Sequence, residues 1–183
     1  MRRGLVPILA VFAVGALLVY GSLKGPASPA RVDASSTPDL APGIVDTVSD
    51  GDTIHLADGR RVRLVQIDAP EISDDECYAK EAARVLERLV PLSSTVFLRA
   101  DRALDKRDRF GRTLAYVFEQ KTNINLRLVE LGAAAPYFYR GDRGRYADEL
   151  MTSAREARAK KRGLWGACPG TQLDPGRQVE TGP

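Results

Sequence analysis

Histidine and cysteine are scarce in this chain. Its 183 residues include one histidine, His55, and two cysteines, Cys77 and Cys168. A closed zinc site takes about four nitrogen or sulfur ligands. Three such residues cannot supply them, so the composition argues against a soft-metal site. His55 has no evident partner for acid–base work and reads as a surface residue. No cysteine follows the N-terminal apolar run closely, so a lipid anchor has no thiol to attach to. Internal repeats are lacking too.

An excess of one charge sign is also missing. The net charge is +3, and Arg2, Arg3 and Lys24 account for it. The other 24 basic residues balance 24 acidic ones. The balance is uneven along the chain. Residues 25–90 carry 7 Lys/Arg and 13 Asp/Glu, whereas residues 91–183 carry 17 and 11. An acidic half could hold a cation and a basic half an anion. The same totals also suit two solvated faces. A hydrophobic content of 44% is ordinary for a globular domain.

The one long apolar run is N-terminal. Gly4 to Ser22 is uncharged and mostly apolar, and at helical rise it spans about 28 Å, close to a bilayer core. Arg2 and Arg3 would stay on the cytoplasmic side, so the rest of the chain is expected to be exported. Residues 1–24 suit either a signal anchor or a cleaved signal peptide. The protein would be membrane-anchored in the first case and secreted in the second. Residues 25–43 are rich in Pro, Ala and Ser and read as a linker. Residues 44–168 would be the folded domain, and the Gly/Pro-rich residues 169–183 a flexible tail. Two cysteines in an exported domain suggest one disulfide, Cys77 to Cys168.

Within the domain, Ile44–Val48, Thr53–Leu56 and Val62–Ile67 read as strands. Asp58-Gly59 is a hairpin signal between the last two. "YAKEAARVLERLVPL" is an amphipathic helix. "STVFLRAD" and "TLAYVFEQ" are further strands. "NINLRLVELGAA" is a short helix, with Asn123 as N-cap and Gly132 as its stop. A longer helix runs from about Tyr146 to Lys161, and Trp165 just beyond it reads as core. Five short strands with a helix after the third predict an α+β, mainly β domain. Its architecture would be a five-stranded OB-fold barrel with three helices, preceded by the N-terminal membrane or signal helix.

Charged residues interrupt this pattern at particular places. In "SDGDT", Asp50 and Asp52 flank Gly51. Paired carboxylates repel unless a cation or protons neutralise them. The fragment looks like part of an EF-hand loop, but no Glu stands at the twelfth position. In "QIDAPE", Asp68 ends a strand before Pro70, and Glu71 follows. Oxygens from Asp52, Asp68 and a backbone carbonyl would suit a hard cation such as Ca²⁺. Arg63 shares a strand with Asp68, and Arg112 sits in "DRFGRTLAYV". Arginine holds phosphate through parallel hydrogen bonds and keeps its charge. A cation with two arginines around a carboxylate is what phosphodiester hydrolysis requires. Glu71 could orient or deprotonate the attacking water. Arg63 could equally pair with a neighbouring acid for structure. Tyr137 and Tyr139 in "PYFYRG" could stack on bases or serve packing.

Together these motifs carry a family resemblance. From about Ile44 to Trp165 the chain resembles the staphylococcal nuclease (thermonuclease) family. "VSDGDTI", "RLVQIDAPE", "DRFGRTLAYV" and "GLWG" stand in that family's order and at similar spacing. The resemblance implies a Ca²⁺-dependent nuclease that cleaves DNA and RNA to 3′-phosphate ends. It implies calcium ligands at Asp52, Asp68 and the carbonyl of Ala69, with Asp50 acting through water. Glu71 resembles the general base, and Arg63 and Arg112 the phosphate-binding catalytic arginines. Tyr137 and Tyr139, joined by Arg109, are the implied substrate contacts. The implied partners are DNA and RNA, with unpaired regions preferred, and the protein is expected to be a monomer. The membrane would be a partner if the N-terminal helix stays uncleaved.

Three positions depart from the family pattern. Ala69 replaces a frequent Thr, and Phe110 replaces a common Tyr. The loop "ISDDECYA" is shorter than in the type member and acidic, so weaker substrate binding and a strong dependence on Ca²⁺ and salt are expected. The alternative of another class is a non-catalytic OB-fold module that binds nucleic acid. The presence of Asp52, Asp68, Glu71, Arg63 and Arg112 together argues for the enzyme.

Overall fold

The computed structural model describes residues 40–182. The apolar run of residues 1–24, and with it the expected signal or anchor helix, lies outside the described residues. So does most of the expected linker. Among the described residues no helix is long and apolar enough to cross a membrane.

Five strands close a mixed barrel. β1 (Leu40–Val48), β2 (Thr53–Leu56) and β3 (Arg61–Leu64) form an antiparallel meander. The tight link between β2 and β3 is the Asp58-Gly59 turn, with Gly59 at a φ of 84°. The turn between β1 and β2 needs Gly51, since a Cβ there would run into the side chains of Ala69 and Ala82. The chain then forms a two-residue strand, β4 (Ile67–Asp68), and helix α1 (Ala79–Leu89). β5 (Thr95–Arg99) pairs antiparallel with β1, and β6 (Thr113–Glu119) antiparallel with β5. Closure comes from a parallel pairing of β6 with β3, with Val62 opposite Thr113 and Leu64 opposite Ala115.

The ends of the barrel are covered by the remaining elements. β7 (Thr122–Asn123) leads into α2 (Ile124–Leu131). As expected, the Asn123 side chain caps this helix, accepting from Leu126 N–H at 3.3 Å, and Gly132 ends it in the left-handed conformation. β8 (Ala135–Pro136) pairs with β4. α3 (Ala147–Ala159) and the single turn α4 (Leu164–Ala167) follow. Ile54, Leu64 and Val117 from the barrel meet Leu86, Leu128 and Leu150 from the helices in one core. Burial of such side chains stabilises the fold by about 1.5–3 kcal/mol each. Trp165 is only half-buried, and its neighbour Leu164 fills the core position instead.

One expected strand needs correction, and both ends of the domain carry further contacts. The third strand does not run to Ile67; it stops at Leu64. Gln66 adopts a left-handed φ of 65°. Its side chain donates to the carbonyl of Asp142 at 2.9 Å and accepts from Gly144 N–H at 2.7 Å. Those distant bonds offset the strain of the kink. The domain also begins earlier than Ile44. Leu40 to Gly43 belong to β1 and pair with Arg99 to Val96 of β5. Finally, the stretch expected to be a flexible tail is tied to the domain by hydrogen bonds at Pro175, Val179 and Gly182.

Candidate active site

Arg63, on β3, points into the protein between two carboxylates. Its Nη1 lies 2.7 Å from Asp52 Oδ2, and its Nη2 lies 2.6 Å from Asp68 Oδ1. All three residues are buried, with Asp52 1%, Asp68 2% and Arg63 8% exposed. Nη1 also donates to the carbonyl of Ile67 at 2.9 Å. The kink at Gln66 makes this possible, because it turns Asp68 back beside the strand that carries Arg63.

Each carboxylate has further donors. Asp52 Oδ2 accepts from Ala69 N–H at 2.9 Å, and its Oδ1 from the Thr53 hydroxyl at 3.1 Å. Asp68 Oδ2 accepts from Val179 N–H at 2.8 Å. Asp50 sits at the turn, where its Oδ1 accepts from Asp52 N–H at 3.0 Å. Burial pushes the Asp52 carboxyl well above its ordinary range. Arg63 opposes that rise, while Asp50 and Asp68 add to it. Burial also works against the charge of Arg63, but Asp52 and Asp68 outweigh it and hold the guanidinium protonated.

On the other side of Arg63 lies an open cleft of about 470 Å³. Glu71, Arg109, Arg112, Tyr137 and Tyr139 line it together with Arg63. The structure thus brings six expected site residues to one cavity. Asp50, Asp52, Asp68 and Ala69 are not on its wall; Asp52 and Asp68 are joined to it through their pairing with Arg63. Glu71 is half-buried, and burial raises its carboxyl above the ordinary glutamate value, with Asp50, Asp68 and Asp74 adding to the rise against Arg63. The acidic loop folds onto this residue. Glu76 Oε2 accepts from Glu71 N–H at 2.7 Å.

Arg112 is held by a residue that the sequence reading missed. Asp108 Oδ2 accepts from Arg112 Nε at 2.6 Å. Asp108 Oδ1 accepts from the N–H groups of Phe110 and Arg112, both at 2.9 Å. Burial alone would raise the Asp108 carboxyl, but the bonds and charge of Arg112 hold it below the ordinary value. The signal was present in "DRFGR". An Asp starting a turn that ends on Gly111, four residues before an Arg, is the pattern of a side chain closing its own loop. At the rim, the guanidinium of Arg109 lies 4.7 Å from the centre of the exposed Phe110 ring. Tyr137 and Tyr139 lie edge to face, 6.4 Å apart.

The donor set bears on the expected calcium. Among the described residues no three carboxylate, histidine or cysteine side chains form a group that could hold a metal. Two buried carboxylates do converge, and both are oxygen donors of the kind a hard cation takes. The Ala69 carbonyl follows Asp68 directly in the chain. The chemistry of these donors fits calcium. The charge that neutralises them in this structure is Arg63.

Cys77 and Cys168 are joined, as expected, with their Cα atoms 5.9 Å apart. The bond ties the end of α4 to the segment between Glu71 and α1.

Comparison with known proteins identifies the family of the chain. The family described as "Staphylococcal nuclease homologue" matches residues 61–167. An uncharacterized endonuclease of Escherichia coli O157:H7 is 38% identical over 131 residues, covering 67% of this chain and 76% of that protein. The thermonuclease of Staphylococcus hyicus is 33% identical over 125 residues, covering 64% of this chain and 72% of its own. The thermonuclease of Staphylococcus intermedius is 31% identical over 167 residues, covering 87% and 95%. The matched residues include Arg63, Asp68, Glu71 and Arg112, and the chain belongs to the staphylococcal nuclease family.

Proposed function

We propose that this protein is a calcium-dependent nuclease acting outside the cytoplasm, and that its barrel is of the OB type. It hydrolyses phosphodiester bonds of DNA and RNA to 3′-phosphate and 5′-hydroxyl ends. The observation that carries this reading is the cleft shared by Glu71, Arg112 and Arg63, with Arg63 also paired to Asp52 and Asp68. Relatives named thermonuclease and endonuclease support it.

The residues divide the work. Arg112, fixed through Nε by Asp108, turns its terminal nitrogens to the phosphate. Glu71 takes a proton from the attacking water. The water oxygen bonds to phosphorus, the bond to the 5′ oxygen breaks, and that oxygen takes up a proton from solvent. Negative charge builds on the phosphoryl oxygens during this exchange, and the arginines stabilise it. Asp52, Asp68 and the Ala69 carbonyl would hold calcium, which supplies further positive charge. Arg63 then has two roles: it neutralises Asp52 and Asp68, as seen here, and it contacts phosphate when another cation neutralises them. Tyr137, Tyr139 and Arg109 suit unpaired bases, which can reach aromatic faces that a duplex hides. The disulfide supports an oxidising compartment. Attachment to a membrane through residues 1–24, or secretion after their removal, completes the proposal.

Digestion of plasmid DNA and of RNA by the purified protein, with Ca²⁺ or with chelator, tests it. Cleavage of both only with Ca²⁺ is expected. Retention on gels without any cleavage would favour the non-catalytic binding module. The full engagement of Arg63 by two carboxylates is the observation on that module's side.

A further inference from the structure

The residues after Cys168 trace a path across the candidate site. Cys168 itself is bonded to Cys77. The chain next passes Phe138, whose N–H donates to the carbonyl of Pro175 at 2.7 Å. It then crosses Asp68, where Val179 N–H donates to Oδ2 at 2.8 Å. Lastly it returns to Cys77. The N–H of Cys77 donates to the carbonyl of Gly182 at 2.6 Å, and the Thr181 hydroxyl donates to the carbonyl of Cys77 at 2.9 Å. One residue therefore holds the segment at both ends. Thr171, Val179 and Thr181 are buried at 7–8% exposure. Gln178, between them, lines the cleft.

We propose that residues 171–182 are a strap that forms part of the active site, with the Val179 N–H as the positioning group for Asp68. The role of Asp68 rests on the nuclease reading above; the strap itself rests on geometry. Asp68 has two carboxylate oxygens. Arg63 holds one and Val179 holds the other. Two donors on opposite oxygens fix the rotation of the carboxyl plane. A donor bound to an ionised, buried acceptor is among the stronger hydrogen bonds in a protein. The donor is a backbone group, so only proline at that position removes it.

The disulfide explains how so Gly/Pro-rich a stretch can be ordered. Docking such a segment costs conformational entropy. Without the bond, the contact between Thr181 and Cys77 would close a loop of 104 residues. With it, the loop runs only from Cys168 to Thr181, and shorter flexible loops close at lower entropic cost.

The test uses the full chain with three changes made separately: Val179→Pro, Val179→Ala, and a stop after Pro169. Calcium binding is titrated calorimetrically without nucleic acid, and cleavage is followed over a range of calcium. Val179→Pro is expected to weaken calcium binding roughly tenfold or more. It should raise the calcium needed for half-maximal cleavage by a similar factor, with the KM for an oligonucleotide unchanged at saturating calcium. The truncated protein should match it, and Val179→Ala, which keeps the N–H, should lose far less calcium affinity than Val179→Pro. Wild-type calcium affinity in both the proline and truncated variants would overturn the proposal. So would faster cleavage by the truncated protein, or an equal loss in Val179→Ala. Amide hydrogen exchange without calcium separates the strap from the nuclease reading. Slow exchange at Val179, becoming fast in Asp68→Ala, is expected even if the wild type cleaves nothing. Fast exchange at Val179 in the wild type would overturn the strap whatever the activity.

Discussion

Arg63 Nη2 and Asp68 Oδ1 meet at 2.6 Å, inside the protein and five residues apart in sequence. Asp52 holds the other end of the same guanidinium at 2.7 Å. Removing one partner of a buried ion pair leaves an uncompensated charge, at a cost of about 3–5 kcal/mol. Arg63→Ala is therefore expected to lower the unfolding free energy by about that amount. Added calcium should restore more stability to Arg63→Ala than to the wild type, because only in the variant do both carboxylates lack their counter-charge. Denaturant melts with and without Ca²⁺ measure this. Equal calcium effects on the two proteins would contradict it.

Asp108 holds Arg112 Nε at 2.6 Å, and in the proposed mechanism it acts through that arginine. Asp108→Ala should loosen the guanidinium and lower kcat/KM on the order of tenfold to a hundredfold, the scale of an ångström-level misplacement. In an Arg112→Ala background the same change should cost little more, because residues that act as a unit are non-additive. Steady-state kinetics on the two single variants and the double variant give the coupling.

The Glu71 carboxyl is raised above its ordinary range, chiefly by burial. A general base works only when ionised. Activity should therefore be lost as pH falls through this raised value, and the acid limb of the rate profile should lie above the ordinary glutamate range. Asp74 contributes to the rise. Asp74→Asn should move the limb to lower pH. A limb in the ordinary range, or one unmoved by Asp74→Asn, would count against Glu71 as the base.

Much of the fold was legible because its signals are local. The Asp58-Gly59 turn, the Asn123 cap and the Gly132 stop each depend on a few neighbouring residues. Two short motifs, "DAPE" and "DRFGR", were legible for the same reason, and the structure brings their Glu71 and Arg112 to one cleft. The missed features are long-range. The kink at Gln66 is stabilised by Asp142, 76 positions away. Val179 reaches Asp68 across 111 positions. Neither partner leaves a periodic or compositional mark. Leu40 to Gly43 read as linker because Pro42 and Gly43 disfavour strands, yet pairing with β5 overrides that propensity. Asp108 is the exception. Its local turn pattern was readable and was passed over.

The disulfide spans 91 positions. Closing so long a loop stabilises by about 4.6 kcal/mol in the chain-entropy account. Replacing Cys77 and Cys168 together with Ser is expected to lower the unfolding free energy by up to that amount. Reducing agent should do the same to the wild type and nothing to the double variant. Urea titrations of all four samples compare them directly.

The proposed mechanism turns on Glu71 as the base in a cleft walled by arginine. Its most direct measurement compares Glu71→Gln with the wild type on one labelled single-stranded oligonucleotide in saturating Ca²⁺. Cleavage rate, end groups and binding are read from the same samples. The account requires 3′-phosphate ends from the wild type. It also requires a fall in turnover of about 10²–10⁴-fold in Glu71→Gln, the usual worth of a general base, with oligonucleotide binding retained. Full activity in Glu71→Gln, or no cleavage by the wild type under these conditions, would contradict it.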